Sequence, residues 1–252
     1  IRIDLRGRGL SDKPHGPYTM AAHAADVLAV MDAAGVADAI IAGHSFGALL
    51  GLWLAAHHPE RVRQLVVMDV AVSTIARPDV IRAIQPSLDR LDRVSPSLQA
   101  FLAQMRGLPY LQDAWCEALE QHYRADVELL QDGAVKPRTS RHHIEDCIRA
   151  GAREDWQAIV ARVAVPSLVV HATGGFGAGA LPLIGREQIA ELLAGLPTAH
   201  LVEVPGNHVT MLFGDSATTI VAAIDQFIAT ANDRAPAATP RETGTRAARE
   251  YR

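Results

Sequence analysis

The chain has 252 residues, 49% of them apolar and 21% charged, a composition typical of one large globular domain or one domain with an insertion. A net charge of −4 and an isoelectric point near 6.3 leave no basic excess, so nucleic acid is not an expected partner. No apolar run approaches the roughly 18 residues that span a bilayer, and no signal peptide is visible, so we expect a cytoplasmic protein without a membrane partner.

The two cysteines, Cys116 and Cys147, lie in helix-like stretches with polar flanks. Two cysteines do not make a disulfide framework, so we expect two reduced thiols, in agreement with a cytoplasmic location. The richness in alanine and arginine is typical of a bacterial gene of high GC content.

The first part of the chain alternates short apolar strands with helices. Residues 1–4 have the pattern of a strand end that enters a glycine turn, and residues 27–34 carry apolar side chains at helical spacing. Short buried strands are predicted at 38–42 and 64–68. A helix is predicted between them over residues 46–58, where Pro59 ends it.

The alternation stops near Ser73 and returns ninety residues later. Between residues 73 and 162 the pattern predicts helices only, separated by prolines. Strands are predicted again at 167–171 and 200–204, with a helix at 186–194 between them. An amphipathic helix is predicted at 216–230.

Strands that alternate with helices at this spacing predict an α/β fold, with a mostly parallel sheet flanked by helices on both faces. Residues 1–72 and 163–230 would form this core. Residues 73–162 would form a helical cap over the carboxyl ends of the strands, where ligands bind in open α/β sheets. Residues 231–252 lack an apolar period and are predicted to form a disordered tail.

The segment Gly43-His44-Ser45-Phe46-Gly47 has the pattern G-x-S-x-G between a predicted strand and a predicted helix. A serine at such a junction occupies a strained turn, and we expect both glycines to prevent clashes with it. The N–H groups that begin the following helix point at the same spot and favour a developing oxyanion. The segment therefore predicts Ser45 as a nucleophile and the Phe46 N–H as an oxyanion-hole donor, whereas a tight structural turn is the alternative.

His208 follows the last predicted strand in the loop Val204-Pro-Gly-Asn-His. A hydroxyl is a weak nucleophile until a base takes its proton, and an imidazole suits that task near neutral pH. We therefore predict His208 as the base. His23 and His44 are expected to pack or to line the pocket, with packing preferred. Five other histidines are expected to face solvent, namely His57, His58, His122, His142 and His143.

The acid that orients the imidazole is less evident. The loop after the strand 167–171 contains no Asp or Glu before Glu187. Asp69 directly follows the strand after the nucleophile helix. Because parallel strands end at the same edge of a sheet, Asp69 lies at the same edge as Ser45. We predict Asp69 as the acid. Glu187, a site without an acid and a structural strand-end role for Asp69 are the alternatives.

Four motifs in order carry a family resemblance: Asp4-Leu-Arg-Gly-Arg-Gly-Leu-Ser-Asp, Gly-His-Ser-Phe-Gly, His-His-Pro-Glu-Arg-Val and Pro-Gly-Asn-His. The chain resembles the α/β-hydrolase superfamily over residues 1–230, with only the architecture matched in the cap. The resemblance implies hydrolysis by a serine nucleophile, with the nucleophile first and the histidine last in the chain.

Two departures from that family are visible. Its members usually carry Asp in the loop after the cap, although haloalkane dehalogenases and some lactonases are similar to this chain in placing the acid where Asp69 stands. Members also begin with three more strands and a His-Gly loop that supplies a second oxyanion donor. The chain resembles a member without these strands and that loop, because it starts at the strand just after them.

The expected activity is hydrolysis of a carboxylic ester of a small apolar substrate through an acyl-enzyme, without a metal or other cofactor. Serine at position 45 argues against haloalkane dehalogenases and epoxide hydrolases, which use a carboxylate there. A lactonase or a thioesterase of the same fold would share every site residue. A non-catalytic, small-molecule-binding or truncated hydrolase fold is the alternative outside the enzymes. The acyl group and the oligomeric state stay open.

Overall fold

The computed structural model describes residues 1–75, 77–111 and 114–232. Within them, four parallel strands form a sheet in the order β1-β2-β5-β6, and two short antiparallel strands form a separate hairpin. The strands are β1 (Ala39–His44), β2 (Val62–Met68), β3 (Val127–Leu129), β4 (Val135–Pro137), β5 (Ser167–Ala172) and β6 (Ala199–Val204).

Helices cover both faces of this sheet and fill the interval between β2 and β5. None of the helices among the described residues is long and apolar enough to cross a membrane. The α-helices are α1 (Met20–Ala33), α2 (Phe46–His57), α3 (Pro78–Asp89), α4 (Leu98–Arg106), α5 (Glu117–Ala125), α6 (Arg141–Gly151), α7 (Trp156–Ala161), α8 (Arg186–Ala194) and α9 (Gly214–Asn232).

Alternate residues of the central strands face opposite layers of the fold. In β2, Leu65 and Val67 join the cluster that packs under α1, α2, α7 and α8, whereas Val66 joins the cluster under α9. All three are fully buried. A parallel strand covered on both faces has this continuous apolar pattern, and it confirms the predicted α/β architecture.

The interval between β2 and β5, residues 69–166, has an apolar cluster of its own. Phe101, Leu119 and Val135 belong to it, and all three are buried. The last helix of the interval, α7, packs instead against α2, with Trp156 and Ile159 in the cluster that covers the sheet. The chain therefore returns to the sheet layer before β5 begins.

Three sequence expectations differ from the structure. Residues 1–4 form no strand: Ile1 is exposed, and Asp4 instead accepts hydrogen bonds from Leu10 and Ser11 in the glycine turn. The expectation of helices alone over 73–162 is wrong at β3 and β4. There, antiparallel pairing satisfies the backbone hydrogen-bonding groups of two three-residue strands. From residue 233 onward, the predicted tail lies outside the described residues, and residues 231–232 are the last of α9.

Candidate active site

The three predicted triad residues lie at the carboxyl edge of the parallel sheet. Ser45 follows β1 directly, Asp69 follows β2, and His208 lies in the loop after β6. Strands β1 and β2 are neighbours, so Ser45 and Asp69 lie on adjacent strand ends. All three side chains line one cavity, which is where ligands bind in open α/β sheets.

Ser45 occupies a strained turn between β1 and α2. Its φ of 54° and ψ of −120° are far from helix and strand values, and its N–H donates to the carbonyl of Met68 at 3.0 Å. A Cβ at Gly43 would lie 2.2 Å from the main chain of Gly47, so the turn requires glycine at position 43. A Cβ at Gly47 would meet nothing within 4 Å, so the steric reason predicted for this second glycine is wrong.

Phe46 is the first residue of α2, and its N–H has no carbonyl partner inside the helix. The half-buried Phe46 side chain also lines the cavity. The Arg8 guanidinium lies over the Phe46 ring at 4.8 Å, and the His23 ring packs edge-on against it at 5.1 Å. These contacts fix the start of the helix beside Ser45.

Asp69 is buried and held by hydrogen bonds on both carboxylate oxygens. Its side chain is 1% exposed, Oδ1 accepts from the Ala172 N–H at 2.9 Å, and Oδ2 accepts from His208 Nδ1 at 2.7 Å. Its own N–H donates to the carbonyl of Val170 at 2.7 Å. The structure therefore brings Asp69 and His208 together, whereas the alternative acid Glu187 lies exposed on α8.

The hydrogen bond to Asp69 selects the tautomer of His208. Because the carboxylate accepts, Nδ1 carries the hydrogen and Nε2 keeps a free lone pair. That is the form of imidazole that accepts a proton from a hydroxyl. The hydrogen bonds found among the described residues do not include one between Ser45 Oγ and His208, a contact that often tightens only when substrate binds.

The loop that carries His208 is fixed by the side chain of Asn207. The Asn207 Oδ1 atom accepts from the N–H groups of Val209 and Thr210, each at 3.0 Å, which forms an Asx turn. Its Nδ2 donates to the carbonyl of Tyr110 at 2.8 Å, in the interval between β2 and β5. Because Asn207 immediately precedes His208, this hydrogen bond links the β2–β5 interval to the loop of His208.

The glycine-rich loop after β5, which carries no acid, packs directly against the loop of His208. Gly174 donates its N–H to the carbonyl of Gly206 at 2.8 Å, and a Cβ at Gly174 would lie 2.7 Å from that oxygen. Glycine at position 174 therefore permits the close approach of the two loops.

His44, the last residue of β1, also contacts the loop of His208. The His44 Nε2 atom lies 2.7 Å from the main-chain oxygen of His208, and the two rings are 4.5 Å apart. Burial, and next the nearby His208, lowers the pKa of His44 to about 3. We predicted packing for His44; its contact with the main chain of residue 208, which is 164 positions away, was not predicted.

The remaining histidines differ in part from the predictions. His23 is fully buried, as a packing role requires, and burial lowers its pKa to about 4. His57, His58 and His143 are half-buried and not solvated as predicted, whereas His122 and His142 are exposed. The His57 ring stacks on Trp53, and the His143 ring stacks on Tyr18. No group of three or more His, Cys, Asp or Glu side chains is arranged to hold a metal ion within the described residues.

The cavity beside Ser45 has a volume of about 130 Å³ and an apolar wall. Helices α3 and α6 of the β2–β5 interval supply part of the wall, together with α1, α2 and the segment before α8. Apart from Asp69 and His208, no Asp, Glu, Lys, Arg or His is among the described lining residues. The other lining residues are Met20, Ser45, Phe46, Leu49, Val70, Thr74, Ile75, Val80, Ile81, Ile84, Cys147, Ile148, Gly151, Leu183 and Ile184.

The fold is that of a known family. The sequence model of the alpha/beta hydrolase fold matches residues 1–215, which is most of the chain. The chain therefore belongs to the α/β-hydrolase family. It is a hydrolytic enzyme, as are the relatives that it matches.

Two curated relatives and one solved structure are similar to the chain. 3-Oxoadipate enol-lactonase 2 of Acinetobacter baylyi is 27% identical over 183 residues, 69% of this chain and 68% of the relative. 2-(Acetamidomethylene)succinate hydrolase of Mesorhizobium japonicum is 26% identical over 208 residues, 82% of this chain and 70% of the relative. A crystal structure of E-2-(acetamidomethylene)succinate hydrolase has a TM-score of 0.75 at 23% identity, covering 89% of this chain and 79% of that one. This structural likeness supports the fold alone.

Proposed function

We propose that the chain hydrolyses a carboxylic ester with a small apolar acyl group, with Ser45 as nucleophile, His208 as base and Asp69 as the orienting acid. The observation that carries this proposal is one apolar cavity. It holds the strained Ser45 turn together with a His208–Asp69 pair joined at 2.7 Å. A serine, a histidine and an aspartate are the side chains that acyl transfer to a serine uses, and their order here is compatible with an α/β-hydrolase, in which the serine comes first and the histidine last.

In the proposed reaction, Ser45 Oγ attacks the carbonyl carbon of the ester and its proton passes to Nε2 of His208. Asp69 stabilises the resulting imidazolium, and the N–H of Phe46 donates to the oxyanion. His208 then gives the proton to the departing alkoxide, which leaves as the alcohol. Water attacks the acyl-enzyme with His208 again as base, and the carboxylic acid and free Ser45 are released.

The cavity supports a short, uncharged acyl group. Its volume of about 130 Å³ is close to that of an apolar protein cavity of about 150 Å³ that holds benzene. An acyl group that carried a carboxylate would find no Lys or Arg among the described lining residues, so burying it there would cost several kcal/mol. A neutral acyl chain of about four to six carbons fits this space.

We further propose that the β2–β5 interval acts as a cap over the site. The side chains of Ile81 and Ile84 from α3 and of Ile148 from α6 support this, since they form a wall of the cavity. A cytoplasmic location is also proposed. It is supported by Cys116 and Cys147, which form no disulfide with each other.

A cyclic ester is the second candidate substrate. The relative from Acinetobacter baylyi is named as an enol-lactonase, and a lactone would be opened by the same attack of Ser45. The two candidates differ in whether the alcohol leaves or stays attached to the product acid. A panel of saturated and enol lactones, assayed beside linear esters, separates them.

The test is hydrolysis of p-nitrophenyl esters from acetate to decanoate by the wild-type chain and by Ser45→Ala. We expect kcat/KM to peak at butyrate or hexanoate and to fall for decanoate, whose chain exceeds the cavity. Succinate mono-p-nitrophenyl ester, matched in length to butyrate but charged, is expected to react at least tenfold more slowly. Equal rates with Ser45→Ala, or a preference for the charged ester, would contradict the proposal.

A further inference from the structure

His44 contacts the main chain of the proposed base. It is the last residue of β1 and immediately precedes Ser45, and its Nε2 lies 2.7 Å from the carbonyl oxygen of His208. A carbonyl oxygen only accepts, so Nε2 must carry the hydrogen. Burial lowers the pKa of His44 to about 3, so the ring is neutral and keeps this single tautomer at neutral pH.

The residue that receives this hydrogen bond lies in irregular backbone. Residues 205–209 form no helix or strand, and Gly206 has a φ of +85°. Asp69 accepts from Nδ1 of the His208 imidazole. Asn207, the residue before His208, is held by its own bond to the carbonyl of Tyr110. The bond from His44 adds a contact on the main chain of residue 208 itself, from the strand that ends at Ser45.

We infer that His44 is a positioning residue, whose Nε2–H fixes the main chain of His208 relative to Ser45. The inference rests on the proposed function. The reacting atoms of a nucleophile and its base must lie within a few tenths of an ångström of their productive geometry, and a displacement of about 1 Å can cost about 10²-fold in rate. Because donor and nucleophile are neighbours in the chain, a movement of the turn carries both together.

A purely packing role makes a different demand on the side chain. Packing requires a flat ring of similar volume. Positioning requires an N–H donor at the place of the histidine Nε2, which is three bonds from Cβ. Phenylalanine keeps the ring and removes the donor. Glutamine loses the ring but places its Nε2–H₂ group three bonds from Cβ, and asparagine places its amide one bond too short.

The experiment measures kcat and KM with p-nitrophenyl butyrate for the wild-type chain, His44→Phe, His44→Gln and His44→Asn. We expect kcat to fall about 10²-fold in His44→Phe and in His44→Asn, with KM changed far less. His44→Gln is expected to recover most of the loss. The melting temperature of each variant is measured beside its kinetics.

Three results would overturn the inference. The first is a wild-type kcat in a folded His44→Phe variant, which would leave the proposed function intact. The second is an equal loss of kcat in His44→Gln and His44→Asn. This comparison tests the positioning role even if His44→Phe fails to fold. A wild-type chain that does not hydrolyse the ester would overturn the inference and the proposed function together.

Discussion

At the scale of single residues, the backbone is most unusual at two of the three proposed catalytic positions. Among the described non-glycine residues, only Ser45 and Asp69 have a positive φ, 54° and 48°. Such conformations cost about 1–3 kcal/mol each and persist where surrounding contacts enforce them. Ser45 is held by the carbonyl of Met68, and Asp69 by β5 through Val170 and Ala172. The strain therefore lies where the proposed chemistry needs fixed geometry.

The two glycines of the serine turn give a matched test of this geometry. In Gly43→Ala the new Cβ would overlap the main chain of Gly47, so we expect at least a 10²-fold loss of kcat and a stability loss of about 1–3 kcal/mol or more. In Gly47→Ala the new Cβ would meet nothing within 4 Å. Position 47 lies in α2 and alanine favours a helix more than glycine does, so stability should rise by up to about 1 kcal/mol.

Urea unfolding and ester kinetics of both variants check this expectation. Gly47→Ala serves as the control, because it makes the same chemical change four residues away. Similar losses in the two variants would show that the clash at Gly43 does not govern the turn.

At the scale of elements, spacing in the sequence predicted the sheet and its helices well. Helix α2 begins at Phe46 as predicted and ends at His57, one residue before its predicted end, and α8 has its predicted bounds. The hairpin of β3 and β4 was missed because three-residue strands are too short for an apolar alternation. Pro86, expected to separate helices, instead lies inside α3, one turn before its end.

The site was predictable to the extent that a local pattern encodes it. Ser45 and His208 follow from motifs at the junctions of predicted elements, whereas Asp69 required an argument about which strand ends share an edge. The contacts of His44 and Asn207 join residues 164 and 97 positions apart, and no local pattern encodes them. Neither the Asx turn formed by Asn207 nor its bond to Tyr110 was predicted from the sequence.

At the scale of the whole molecule, two histidines with lowered pKa values couple stability to pH. Burial lowers the pKa of His23 to about 4 and that of His44 to about 3, against about 6.5 in the unfolded chain. Between these values the unfolded chain binds more protons, so stability rises with pH. The stabilisation is complete above pH 6.5 and is lost as the pH falls, through about 4 for His23 and through about 3 for His44.

We therefore expect the free energy of unfolding to fall by about 1 kcal/mol per pH unit for each histidine between pH 6.5 and pH 4.5. Urea titrations at four pH values measure this slope. In His23→Gln the change of unfolding free energy with pH should be smaller by about the contribution of one histidine. The carboxylates contribute equally to this change in the wild-type chain and in the variant, so the difference between the two reports on His23. An unchanged slope in this variant would mean that His23 is protonated in the folded chain.

The most direct measurement of whether Ser45 is activated is the intact mass after incubation with a fluorophosphonate, which reacts with serines that a neighbouring base activates. Wild-type chain, Ser45→Ala and Asp69→Asn are compared. We predict one adduct on the wild-type chain, none on Ser45→Ala, and slower labelling of Asp69→Asn, because an amide cannot hold the His208 tautomer that accepts the proton. No adduct on the folded wild-type chain, or an adduct that persists in Ser45→Ala, would contradict Ser45 as the nucleophile.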